Sequence, residues 1–272
     1  DYKALVMEEM TRVTELYLRL KEYSVKLTPG FEEVFYNANR DLNYQLMLTI
    51  ASVRKDDSGE IIDRKIRMTA KFVDDFASTR IFNCKKVNWN TNKYLLFRVM
   101  RDVRNQDCKT VGMVLVRTLR RMDVHLDGIT KLSLNQFTGR YMLHMLARFT
   151  SFINSRMGNA SQFDIYVDRK RKGNTYDIEH ILPDDFESYK DSFEDYDDFQ
   201  ECRQHIGNLI ILTRDKNRSY QDMNYSEKVV NYAGDNILAQ ALGDTAYRNN
   251  PRFLPLASRY ELRSMPVFTK ES

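Results

Sequence analysis

From the N-terminus to about Gly158, apolar residues recur at three- and four-residue spacing, the signature of helices that bury one face. Val6, Met10, Val13, Tyr17 and Leu20 form the first such stripe, which predicts a helix ending before the breaker Pro29-Gly30. Two heptads are too few to define a coiled coil. A helix from about Phe31 and another through Leu42 to Val53 follow, then a loop from Lys55 to Gly59. Ile61 to Phe82 reads as a further helix, and Asn83 to Asn92 as a polar loop carrying the only Trp, Trp89. Leu96, Val99, Met100 and Val103 mark the next helix. Val111, Val114, Leu115, Thr118, Leu119, Met122 and Leu126 mark another, and Tyr141, Met142, Met145, Leu146, Phe149, Phe152 and Ile153 a third, with Gly158 as its C-cap. These stripes are expected to form the core of a bundle, with His125 and His144 structural within it.

At Phe163 the period changes: Phe163, Ile165 and Val167 alternate with Asp164 and Tyr166, which predicts a strand. The cations Arg169, Lys170, Arg171 and Lys172 then precede the turn signal Gly173-Asn174, and a second strand runs into Glu179-His180. Such a run is either a solvated loop or a hold on a phosphate backbone. Between Pro183 and His205 lies an acidic insertion, Asp184 to Glu201, that would repel nucleic acid lying across it. It is expected to pack on the basic helical half, recruit a partner, gate the site, or form a solvated excursion. Another apolar run spans Ile206 to Thr213, and Tyr225 to Tyr232, with Ser226 as its cap, predicts the helix that completes a two-strand-and-helix unit. Beyond Asp235, the prolines 251, 255 and 266 suggest a packed tail. The expected organisation is a helical region over 1–160, a two-strand-and-helix core over 161–234 and a tail over 235–272.

Composition narrows the classes. With 29% charged residues and no apolar run near the roughly 18 residues a membrane span needs, the chain is expected to be cytosolic. No signal-peptide pattern opens it. Cys84, Cys108 and Cys202 make no Cys-x-x-Cys, which argues against structural zinc and for small buried side chains in a reducing compartment. The net charge of +4 is unevenly spread: Lys and Arg number 31 against 22 Asp and Glu up to Pro183, and 11 against 16 after it. If nucleic acid is the partner, the helical half supplies much of the attraction.

The chemistry-bearing residues are concentrated in Tyr-Asp-Ile-Glu-His-Ile-Leu-Pro, residues 176–183, then Ile-Gly-Asn-Leu-Ile-Ile-Leu-Thr, residues 206–213, then Asn217. Hydrolysis of a phosphodiester needs a base for the attacking water and a cation for the charge that develops on oxygen. His180 is the candidate base, since imidazole titrates closest to neutral. Glu179 and Asn217 offer hard oxygen atoms suited to Mg²⁺ or Mn²⁺, with Asp177 a competitor of Glu179 and an N-cap the plain alternative for Asn217. Consecutive strand residues point to opposite faces, so Glu179 and His180 share a site only where the strand ends, and Pro183 places an ending nearby.

These motifs resemble the HNH (ββα-metal) nucleases, and more narrowly the C-terminal nuclease module of the GmrSD-type modification-dependent restriction proteins, over roughly Phe163 to Tyr232. Leu212 to Val230 is also similar to the equivalent piece of the HNH domain in RNA-guided CRISPR nucleases. The resemblance implies a mainly α fold, with an N-terminal helical bundle followed by a small ββα-metal unit. It implies a Mg²⁺- or Mn²⁺-dependent endonuclease or nickase acting in restriction or antiviral defence on foreign or modified DNA. It also implies that Asn208 ties the His180 loop in place and that Asn217 is the metal ligand. His205 matches the family's His before Gly-Asn. With Arg218 and the cations at 169–172 it joins the candidate DNA contacts. Full-length relatives carry a nucleotide-hydrolysing domain with an Asp-Gly-Gln-Gln-Arg motif, absent here, and the chain starts at Asp1 without Met. The expectation is therefore a C-terminal fragment, or a module separate from its nucleotide-driven sensor. Two other readings stay open: a catalytically inactive DNA-binding or regulatory module, and a helical assembly platform for a partner.

Overall fold

A computed structural model describes residues 5–122, 125–221, 223–248 and 250–270. The chain divides into two compact units, residues 1–129 and 130–272. The unit boundary lies well before residue 160, so the helix predicted over 141–153 belongs to the second unit. Among the described residues no helix is long and apolar enough to cross a membrane.

The first unit is helical. A π-helical turn, Leu5–Met10, leads into α1 (Thr11–Val25), followed by α2 (Glu32–Asn39), α3 (Tyr44–Ser52), α4 (Gly59–Phe82), α5 (Trp89–Val103) and α6 (Cys108–Arg120). Three helix starts are fixed by side chains accepting an otherwise unpaired backbone N–H: Ser58 from Ile61, Asn88 from Thr91 and Asp107 from Thr110. The Asn88 cap corrects the expected loop over 83–92, because Trp89 is already the first residue of α5. The buried face of α1 is also rotated from the expected stripe. Leu16 and Leu20 are buried, with Val34, Ile66 and Ala70 beside them, while Val6, Met10 and Tyr17 are exposed. A 4-3 repeat fixes the helix but leaves open which of its neighbouring stripes meets a partner.

Charge is also buried here. Lys65, with no exposed surface, donates to Ser52 O at 2.8 Å, Asp57 Oδ2 at 2.6 Å and Gln106 O at 2.9 Å, so all three ammonium hydrogens are used. Arg40 and Asp74 form a second buried ion pair.

The second unit is mostly helical around one small sheet. Its elements are α7 (Gly139–Arg156), α8 (Phe163–Val167), β1 (Tyr176–His180), α9 (Tyr196–Gln204), β2 (Leu209–Thr213), α10 (Arg214–Tyr220) and α11 (Tyr225–Asn231). The short helices α12 (Ile237–Gln240), α13 (Thr245–Arg248) and α14 (Leu254–Arg259) follow. Phe163–Val167, expected as a strand, is helical: Phe163, Tyr166 and Val167 are buried at i, i+3 and i+4. Five residues are short enough for either period to fit.

β1 and β2 pair antiparallel, with His180 opposite Leu209 and Tyr176 opposite Thr213. Two strands alone are marginal in water, and here both faces of β2 are covered, Leu209 to Leu212 all being buried. The acidic insertion is neither a solvated excursion nor a bare loop. Phe186, Tyr189, Phe193 and Tyr196 surround Phe199, which is fully buried, while the carboxylates face outward. α11 is capped by Asn224, not Ser226, in a reciprocal capping box with Glu227. Of the cysteines, none forms a disulfide and Cys84 is exposed rather than buried.

Candidate active site

His180 is the last residue of β1, at the point where the strand gives way to a loop. That loop is held by Asn208, which is buried: its Oδ1 accepts from Leu182 N at 2.9 Å, its carbonyl from Ile181 N at 2.9 Å, and its Nδ2 donates to Cys202 O at 3.4 Å. The side chain thus joins the end of α9 to the exit from β1. Replacing Asn208 with Ala leaves the buried Leu182 N–H without an acceptor and is expected to cost about 1–3 kcal/mol. Urea melts of the two proteins measure that difference.

The His180 imidazole lies against Gln204, with Nε2 3.2 Å from Oε1. With the amide oxygen as partner, Nε2 carries the proton and the lone pair sits on Nδ1. Burial pushes the imidazole below its ordinary range, and the Arg203 guanidinium pushes it further, against a smaller opposing effect of Gln204. The neutral, proton-accepting form is therefore the resident one at neutral pH. Arg203 is itself held by Leu182 O at 3.2 Å and by Asp184 at 3.6 Å.

Glu179 leaves β1 on the opposite face from His180 and is buried. Its Oε1 meets Lys228 Nζ at 2.7 Å and Tyr232 Oη at 3.4 Å. Burial raises the Glu179 carboxyl, and the Lys228 ammonium opposes that rise. The carbonyls of Ile178 and His180, on the edge of β1 that β2 does not use, are both occupied. Asn217 Nδ2 donates to Ile178 O at 2.8 Å, and Lys228 Nζ to His180 O at 2.9 Å. Asn217 lies in mid-helix on α10, so it is not an N-cap; its hydrogen bond places it one residue from Glu179 along the strand.

The expectation that three side chains converge is thus corrected in part. Asn217 and Glu179 are brought to neighbouring positions on β1, whereas His180 projects from the other face. Asp177, the competitor of Glu179, is committed to Arg169 and Arg214. Arg169 is accordingly tied to the strand, while Lys170, Arg171, Lys172 and Arg218 are exposed. His205 turns back on its own loop, its Nδ1 accepting from Gly207 N at 3.1 Å, which gives it a local capping role.

Among the described residues no three His, Cys, Asp or Glu side chains cluster as a metal site. Two oxygens of the hard type that Mg²⁺ takes are left over. Both contacts to Glu179 fall on Oε1, and Asn217 uses its amide nitrogen, so Glu179 Oε2 and Asn217 Oδ1 are two hard oxygens outside those bonds. Mg²⁺ needs only one or two such protein oxygens, with water and phosphate completing its shell. Lys228 is the competing cation.

Three residues of this site escape a reading of the sequence. Gln204 and Arg203 sit in the acidic insertion, where no motif marks them. Lys228 does leave a signal, as a lysine on the stripe Tyr225, Lys228, Tyr232 that is otherwise aromatic and buried, where a charge requires a partner.

The second unit is thus a helical unit built on a two-strand sheet, with an imidazole at the strand end and a side-chain amide fixing its loop. Residues 127–251 match the family model of the GmrSD restriction endonucleases, C-terminal domain. This part of the chain, which holds every site residue named above, is a GmrSD-type C-terminal module. No curated protein and no solved structure matches the chain.

Proposed function

We propose that the second unit cleaves DNA as an HNH-type, metal-dependent phosphodiesterase, the effector part of a restriction or anti-phage system. The observation that carries this reading is the His180 imidazole at the end of β1, kept neutral by burial and Arg203 and oriented by Gln204. Nδ1 takes a proton from water as the water oxygen bonds to phosphorus and the opposite P–O bond breaks. Gln204 accepts from Nε2 and so stabilises the imidazolium that results. Arg203 supplies a fixed positive charge beside the imidazole for the phosphate. Glu179 through Oε2 and Asn217 through Oδ1 would hold a Mg²⁺ ion; since His180 leaves the other face of β1, the ion and the base would serve one phosphate only around the strand end, and the ion would supply positive charge for the phosphate oxygens there. Asn208 keeps the loop in register, and Arg218 and the cations at 170–172 are available to the DNA backbone.

One observation favours a second reading, a DNA-binding module without cleavage: the ammonium of Lys228 already neutralises Glu179. Incubating supercoiled plasmid with the protein in Mg²⁺, Mn²⁺ or EDTA separates the two. Nicking that needs the divalent ion supports the nuclease, and retained binding with no nicking in either metal supports the inactive module.

The pH profile is a further test. The active form of His180 is deprotonated and its folded pKa is depressed, so activity is lost only as pH falls through that lowered value. Nicking rates are expected to be flat from pH 8 down through the ordinary imidazole titration near ~6.5 and to fall below it. A profile that is already falling at neutral pH would remove His180 from the role of base.

A further inference from the structure

No residue named in the site above belongs to the first unit, which carries in one segment a strong excess of positive charge. From Arg80 to Arg121 there are eleven Lys and Arg against two Asp and Glu, Asp102 and Asp107. Both acids are engaged locally: Asp107 caps α6, and Asp102 meets Arg101 at 3.0 Å. Arg98, Arg104, Arg117 and Arg120 are exposed and pair with no carboxylate among the described residues.

Within this segment α5 presents an outer stripe at 4-3-4-3 spacing: Asn90, Tyr94, Phe97, Arg101 and, at the helix end, Arg104. Its inner face is spent on Leu96, Val99 and Val103, all buried. Tyr94 is 77% exposed and Phe97 55% exposed, although both are large rings one turn apart. The rings are held in place. Trp89 packs edge-on to Phe97 with centroids 5.1 Å apart, and the Lys93 ammonium lies 5.3 Å from the Tyr94 ring centre.

We infer that the outer face of α5 binds a single-stranded stretch of nucleic acid, its bases stacking on Tyr94 and Phe97 and its phosphates met by Lys93, Arg98, Arg101 and Arg104. Positive charge alone would serve a duplex equally well. Two adjacent exposed rings add nothing to a duplex, whose bases are stacked on each other, but they are the platform that unpaired bases use. α6, which packs beside α5, adds the exposed Arg117 and Arg120 to the positive charge of this unit. The inference is independent of the nuclease reading, because it concerns binding by a different unit and is measured without cleavage.

The test is fluorescence anisotropy of the full chain in EDTA, with a labelled oligo-dT strand and a labelled duplex of equal length. The wild type is expected to bind the strand more tightly than the duplex. Tyr94→Ala and Phe97→Ala should each weaken strand binding by about 5- to 100-fold, whereas Tyr94→Phe, which keeps the ring, should not. Arg98→Gln with Arg101→Gln should flatten the slope of log affinity against log salt by about 0.7 per charge removed. All four positions are exposed, and circular dichroism checks that the variants stay folded. Equal affinity for strand and duplex, unchanged binding by the alanine variants, or competition by polyglutamate as strong as by oligo-dT would overturn the proposal. Loss of plasmid nicking with strand binding intact bears on the nuclease reading alone.

Discussion

His180→Ala is expected to reduce plasmid nicking by about 10²–10⁴-fold, the usual worth of a positioned general base. Binding to DNA should be retained, since the imidazole is kept neutral and contributes no charge to the phosphate field. Gln204→Ala is the informative companion. It leaves the imidazole in place but removes the acceptor that fixes Nε2 as the protonated nitrogen, so a loss of about 10-fold or more is expected from orientation alone. Single-turnover nicking at saturating protein separates these losses from weaker binding. If His180→Ala cuts as fast as the parent, water activation resides elsewhere and the whole assignment of Nδ1 fails.

Lys228→Met is expected to destabilise the second unit strongly. Lys228 and Glu179 are both buried, and the ammonium also holds the free edge of β1 through His180 O. Removing one member of a buried pair leaves the other charge without compensation, at a cost of about 3–5 kcal/mol. In EDTA the deficit has a signed pH dependence. Without Lys228 the buried Glu179 binds its proton more tightly folded than unfolded, so the variant regains stability as pH falls and loses it as pH rises. Glu179→Met combined with Lys228→Met removes both charges and should recover most of the loss. Thermal melts of the three variants from acid to neutral pH measure these effects. A double variant no more stable than Lys228→Met would show that packing around Tyr232, rather than the uncompensated carboxylate, carries the cost.

How far the sequence reached differs between elements. The helices over 59–82, 89–103, 108–120 and 139–156 were readable because each is long enough for its stripe to repeat several times. Phe163–Val167 was misread as a strand because five residues cannot separate a period of two from one of 3.6. The core of the insertion is not legible because its abundant carboxylates hide an aromatic pattern, Phe186, Tyr189, Phe193 and Phe199, whose rings pack together while the charges stay in water. At the site, the His180 loop and its Asn208 tie follow from motif and resemblance together. The partners of His180 and Glu179 do not, since Gln204 is 24 positions from one and Lys228 is 49 from the other.

By itself, then, the amino-acid sequence determined the long helices, where β1 ends, and which imidazole stands at that end, because these depend on neighbours within a few residues. Only the tertiary structure decided what each polar side chain faces. It turned Glu179 toward a buried lysine and His180 toward a glutamine, and it set Asn217 on a strand edge. It also left two rings of α5 standing among arginines. Those outcomes depend on which distant surfaces meet, and local periodicity carries no record of that.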